Sequence, residues 1–134
     1  MKPMTNQQFG ALGEKLAVKY LKQQHYKILE KNYKTKLGEV DIIAVTRDSG
    51  REEIAFIEVK TRSADPYLSG MYAVDKRKQF HIMRTASKYL EEKRILLQPR
   101  FDILEVEVNR ASGELVKINH IKNAFRQTED YARF

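Results

Sequence analysis

Two stretches that read as neighbouring β-strands carry charges where a buried strand should be apolar, and no other feature of the chain constrains its fold as tightly. The first is Gly38-Glu39-Val40-Asp41-Ile42-Ile43-Ala44-Val45 and the second is Phe56-Ile57-Glu58-Val59-Lys60-Thr61-Arg62. Side chains alternate faces along a strand, so Glu39 and Asp41 share one face of the first, while Glu58 and Lys60 share one face of the second. Between them, Arg47-Asp48-Ser49-Gly50 predicts a hairpin connection. A hairpin folded symmetrically about that loop makes opposed residue numbers sum to 99. Asp41 then faces Glu58, Glu39 faces Lys60, Ile43 faces Phe56 and Val45 faces Ile54. A slip of one residue would carry one set of charges to the other side of the sheet. Opposed carboxylates stand with Cβ atoms about 5 Å apart and repel. A divalent cation compensates directly, because Mg²⁺ takes one or two carboxylates and completes its octahedron with water and phosphate oxygens.

The plainer reading is a solvated strand face with cross-strand ion pairs. Against it, the charged face also carries Ile43, Val45, Ile54 and Phe56, and the opposite face carries Val40, Ile42, Ala44, Ala55, Ile57 and Val59. Strands covered on both sides are nearly continuous apolar runs, and charges gathered at one end of them point to a cleft.

The 134 residues fit one domain, 1–134, long enough for a core, with 126–134 as a tail. A formal charge of +7 calls for an anionic partner, most simply nucleic acid. No apolar run approaches the ~20 residues that span a bilayer, and the N-terminus lacks the apolar core of a secretory signal, so a cytoplasmic location is the default expectation. With no cysteine, disulfides, thiolate zinc sites and cysteine nucleophiles drop out. The three histidines, His25, His81 and His120, are scattered and read as exposed or locally hydrogen-bonded. Carboxylates are left as the groups to hold any metal.

Thr5 and Gln8 have the spacing of a capping box, and Phe9, Leu12, Leu16, Ala17, Tyr20 and Leu21 follow on one stripe, which predicts a helix over 6–24. Glu14 flanks that stripe. A short strand is expected over 26–32, ahead of the hairpin. Ala64-Asp65-Pro66 and Ser69-Gly70 predict a loop. Asp75 can cap a second helix whose apolar stripe is Phe80, Met83, Ala86 and Leu90 and whose cations are Lys76, Arg77, Lys78, Arg84 and Lys88, with Pro99 blocking its continuation. Strands follow over 101–108 and 115–121, and 124–134 reads as a short helical or frayed tail. Strand, helix, strand implies a right-handed crossover, so the strand at Phe101 should run parallel to the strand of Glu58. The expected fold is α/β, a mixed sheet flanked by helices.

Taken together, Gly10 to Glu14 on the first helix, Gly38-Glu39-Val40-Asp41, Phe56 to Arg62, Val74 and Lys78, Arg100-Phe101-Asp102, Ile118-Asn119-His120-Ile121 and Asn123-Ala124-Phe125 resemble the YraN-like family of small bacterial predicted endonucleases. That family's fold is similar to that of restriction enzymes and archaeal Holliday-junction resolvases. The resemblance covers nearly the whole chain, and its most specific part is the coupled G-E-x-D and E-V-K-T-R pair. One departure is that the superfamily's aspartate often follows a proline, whereas Asp41 follows Val40, as in the resolvase-like branch.

The resemblance implies a restriction-endonuclease-like core and a Mg²⁺- or Mn²⁺-dependent endonuclease acting on DNA, selective for branched or otherwise structured forms. RNA is the open alternative substrate, and a nucleic-acid-binding protein without turnover the alternative function. Asp41 and Glu58 would be the principal metal ligands, with the Val59 carbonyl, and Glu14 would orient a metal-bound water or complete a second position. Lys60 would hold or deprotonate the attacking water or steady the transition-state phosphate. Glu39 pairs with Lys60 or stands behind the ligands. Arg62, Lys76, Arg77 and Lys78 are the candidates for the phosphate backbone, and Tyr67 and Tyr72 for base stacking. On a branched substrate a two-fold homodimer would place paired cuts symmetrically.

Overall fold

The computed structural model describes residues 3–64 and 74–126. Its elements in chain order are α1 (Asn6–Gln23), β1 (Lys27–Lys34), β2 (Glu39–Thr46), β3 (Glu53–Ser63), α2 (Lys76–Lys93), β4 (Gln98–Val108) and β5 (Leu115–Phe125). The strands form one mixed sheet in the order β1-β2-β3-β4-β5. β3 and β4 are parallel, and every other neighbouring pair is antiparallel. A five-stranded mixed sheet flanked by two helices is the expected α/β architecture, compatible with a restriction-endonuclease-like core. The predicted loop lies largely outside the described residues, together with Tyr67, Tyr72 and most of the tail.

Both helices begin where their caps place them. The Gln8 N–H donates to Thr5 Oγ1 and the Thr5 N–H to Gln8 Oε1, closing a capping box. At α2, the Lys78 N–H donates to Asp75 Oδ1 at 2.8 Å. The second helix ends earlier than Pro99 would require: Arg94 takes the left-handed conformation (φ +54°) and the Ile95 N–H returns to the Leu90 carbonyl. Pro99 lies inside β4. β1 begins one residue later and runs two residues further than expected, and β5 extends to Phe125, so that Ala124 belongs to a strand rather than to a tail.

Two apolar layers sandwich the sheet. On the α2 side, Ile43, Ile54, Phe56 and Phe101 pack against Ile82 and Tyr89. On the α1 side, Ile42, Ile57, Leu104 and Val106 pack against Ala17 and Leu21. Each large side chain buried in this way contributes about 1.5–3 kcal/mol. β3, central and covered on both faces, is buried without interruption from Ile54 to Val59. At the outer edge, β1 is blunted by Lys27, Lys31 and Lys34 and by a register shift between Ile28 and Glu30.

The buried stripe of α1 is Phe9, Gly13, Ala17 and Leu21, narrower than the sequence stripe because Leu12, Leu16 and Tyr20 remain partly open. Gly13 sets how closely α1 approaches β3: a Cβ there would fall 1.7 Å from Thr61 Oγ1. Gly13→Ala must therefore push α1 away from the sheet. We expect it to lower stability by about 1–3 kcal/mol, as overpacking does, measured by denaturant unfolding. Gly38, at the entry to β2, is pressed far less, since a Cβ would lie 3.3 Å from His81 Cβ and from Thr85 Oγ1 of α2.

Candidate active site

Hairpin register and site geometry part company at one place. Between β2 and β3 the pairs Ile42↔Ile57, Ile43↔Phe56, Ala44↔Ala55, Val45↔Ile54 and Thr46↔Glu53 each sum to 99 as expected, and the ladder then stops. Asp41 is not a ladder partner of Glu58. Its carboxylate instead accepts a hydrogen bond from the Val59 N–H, Oδ2 to N 2.8 Å, and so satisfies a backbone donor that the ladder no longer reaches. The strict alternation expected for β2 also fails here. Val40 packs with Ile43 on the α2 side rather than with Ile42, while Asp41 and Ile42 both line a cleft against α1.

This end of the sheet opens into a cleft of about 580 Å³ whose lining includes Gln7, Gly10 and Glu14 from α1, Asp41 from β2, and Glu58 and Lys60 from β3. A second cleft, about 300 Å³, shares Glu14 and Asp41 with the first and continues past Lys15, Lys31 and Asn32. All four residues assigned catalytic roles from the sequence thus border one cleft. Asp41 holds its proton up to about pH 7; burial is the main cause, and the charge of Glu58 adds to it, partly offset by the Val59 N–H. Glu14 and Glu39 press in the same direction from further away. Such a carboxylate favours a positive charge beside it.

Glu58 is 6% exposed and meets two ammonium groups on one oxygen: Lys78 Nζ lies 2.6 Å and Lys60 Nζ 3.4 Å from Oε1. Of the four cations proposed for a phosphate backbone, Lys78 thus joins the site. Arg62 is held by Glu105 of β4 at 2.6 Å. Lys76 and Arg77 stand exposed on the first turn of α2. Glu39 is exposed at the start of β2. Among the described residues, no three acidic or histidine side chains lie close enough to hold a metal ion unaided. The donor set nevertheless suits a hard cation, since Mg²⁺ binds through one or two carboxylates plus water and phosphate.

A second polar cluster sits towards the β2–β3 turn. Asp102 is 0% exposed and accepts from Arg100 Nε (3.0 Å) and Nη2 (2.8 Å) and from the Asn123 N–H (2.9 Å), and its Oδ2 lies 2.8 Å from His120 Nε2. Arg100 also reaches Asp48, Glu53 and the Tyr26 hydroxyl, and His120 Nδ1 lies 3.1 Å from the Tyr20 hydroxyl. Tyr26 in turn donates to Asp48. Burial would raise the Asp102 carboxyl, but the hydrogen bonds of His120, Arg100 and Asn123 more than offset it and hold it below the usual range. His120 is therefore a buried bridge between elements rather than exposed or locally bonded. Arg100 and Asp102, two apart and flanking Phe101 ahead of the apolar Ile103-Leu104, were the signal that could have revealed it.

The model of the uncharacterised protein family UPF0102 matches residues 13–106. The chain is 44% identical over 126 residues to a UPF0102 protein of Caldanaerobacter subterraneus, covering 93% of this chain and 100% of that one. It belongs to the UPF0102 family. A UPF0102 protein of Alkaliphilus oremlandii is 45% identical over 90% of this chain and 99% of its own, and one of Geobacter metallireducens is 41% identical over 90% and 93%. The UPF0102 match runs through Glu14, Asp41, Glu58, Lys60, Lys78 and Asp102, and so takes in the charged residues of the cleft but not Gln7 and Gly10. Family membership alone assigns no activity to it.

Proposed function

We propose that this UPF0102 protein is a Mg²⁺- or Mn²⁺-dependent endonuclease that hydrolyses DNA phosphodiester bonds, with a preference for branched or otherwise structured DNA. The observation that carries the reading is Asp41: a largely buried carboxylate, aligned by the Val59 N–H and pressed by Glu58, at the border of a cleft that also holds Glu14 and Lys60. A bound divalent cation would supply a Lewis acid and a hydroxide source at neutral pH. Asp41 and Glu58 would hold it, with the Val59 carbonyl as a further donor. Glu14, across the cleft on α1, orients the attacking water. Lys60 places an ammonium beside the scissile phosphate, where it takes up charge that develops on the phosphoryl oxygens. The net charge of +7 draws the phosphate backbone without regard to base sequence.

The test incubates purified protein with linear duplex, single-stranded, flap and four-way-junction DNA, and with a matching RNA series, in Mg²⁺, Mn²⁺ or chelator, alongside Asp41→Asn and Lys60→Ala. Metal-dependent cutting that is lost in both variants is the expected result. Cutting that persists unchanged in both would place the chemistry elsewhere. Retained binding with no cutting on any substrate would make the protein a nucleic-acid-binding module.

A further inference from the structure

The Lys78–Glu58 contact brings a second element into the site. Lys60 lies on the same strand face as Glu58, but Lys78 comes from the first turn of α2, where the Asp75 cap fixes its backbone. At 2.6 Å the pair is a charge-assisted contact in which the Glu58 side chain, 7% exposed, is shielded from water while the Lys78 side chain keeps part of its hydration. A divalent cation shared by Asp41 and Glu58 would stand beside the ammonium groups of both Lys78 and Lys60, and each further positive charge gathered around one carboxylate adds to the repulsion among them.

We propose that Lys78 is a built-in counter-cation that competes with the divalent metal for Glu58, and that a nucleic-acid phosphate, by taking over Lys78, couples metal binding to substrate binding. The inference rests on the metal-dependent reading of the cleft. The Lys78 side chain is 41% exposed, so its ammonium can leave Glu58 for a phosphate of a bound strand. Binding linkage then requires reciprocity: DNA tightens metal binding by the same factor by which metal tightens DNA binding. Without DNA, the protein binds metal weakly because Lys78 must first be displaced. The arrangement keeps a hydrolytic cation out of the cleft until a phosphate is present to be cut.

Lys78→Gln removes the competitor and keeps a polar side chain of similar length, while Lys78→Arg keeps the charge. Calorimetric titration of Mn²⁺ into each protein, with and without a DNA duplex carrying hydrolysis-resistant phosphorothioate linkages, reads both affinity and coupling. Lys78→Gln should bind Mn²⁺ about fivefold or more tightly than wild type in the absence of DNA, and the enhancement by DNA should shrink by a similar factor. Lys78→Arg should behave as wild type. Thermal unfolding of both variants shows that the comparison is between folded proteins. Equal or weaker Mn²⁺ binding by folded Lys78→Gln would overturn the inference; if Asp41→Asn still abolished Mn²⁺ binding, the metal-site reading would stand without it. Absence of Mn²⁺ binding to wild type and Lys78→Gln alike, with or without DNA, would remove both.

Discussion

Asp41→Asn should abolish the proposed nuclease activity and yet make the protein more stable than wild type above neutral pH. Aspartate in an unfolded chain ionises near pH 4, whereas Asp41 in the folded protein holds its proton up to about 7. Between these values the folded state binds more proton than the unfolded state, so stability falls as pH rises. The stabilising effect of the protonated form is complete below about pH 4 and lost on passing pH 7. Above that the ionised carboxylate opposes folding by on the order of 2–4 kcal/mol. Asparagine mimics the protonated form and can still accept from the Val59 N–H. The variant should therefore gain several degrees in Tm at pH 8 and almost none at pH 4.5. With hydrolysis-resistant DNA present, Mg²⁺ should raise the wild-type Tm at pH 8 and leave that of the variant unchanged, because a ligand stabilises only the state that binds it. Losing a group that merely supports a metal ligand costs up to about 100-fold in activity, so losing a principal ligand should cost more. A variant destabilised at pH 8 would contradict the account of Asp41 as a strained carboxylate awaiting a cation.

The opposite response is expected at Asp102, which pairs with Ile57 on the neighbouring strand. Asp102→Ala removes the fully buried acceptor shared by Arg100, His120 and the Asn123 N–H, and leaves the guanidinium with Asp48 and Glu53 alone as its acidic partners. Breaking a buried charge pair by removing one member costs about 3–5 kcal/mol, because the remaining charge stays out of water. Through this carboxylate and Arg100, β4 is tied to β5, to the start of β1 by Tyr26 and to the β2–β3 turn by Asp48, while His120 extends the tie to Tyr20 on α1. We expect a Tm lowered by more than about 10 °C and a reduced denaturant midpoint with an unchanged slope. Replacing both partners, Arg100→Met with Asp102→Leu, should cost less than the single change, since the buried guanidinium goes with its carboxylate, while Asp48 keeps Lys122 and Glu53 loses Arg100. A double variant as unstable as Asp102→Ala would show that packing, not charge, accounts for the loss.

These two carboxylates lie in strands of similar apolar composition, and their neighbours decide their opposite behaviour. Asp102 is met by donors from two strands, so its ionised form is favoured. Asp41 is met by one backbone N–H and by the negative charges of Glu58, Glu14 and Glu39, so its ionised form is disfavoured. Spacing placed Asp41 and Glu58 at the same end of a hairpin but could not distinguish the two environments, because the donors to Asp102 come from residues up to 21 positions away.

What the chain determined by itself was local. Thr5 with Gln8 and Asp75 start the helices, apolar runs mark the strands, and the hairpin register follows from pairing Ile43 with Phe56 and Val45 with Ile54. The intervening helix is consistent with β4 running parallel to β3. These features depend on propensity and on periods of two or 3.6 residues, which can be read along a sequence. Only the tertiary structure decided where the β2–β3 ladder stops, how Val40 leaves the expected face, how closely Gly13 lets α1 approach Thr61, and that Lys78 reaches Glu58 while His120 reaches Asp102. The physical reason is that a buried polar group must find its partner wherever packing delivers one, and that requirement has no period along the chain.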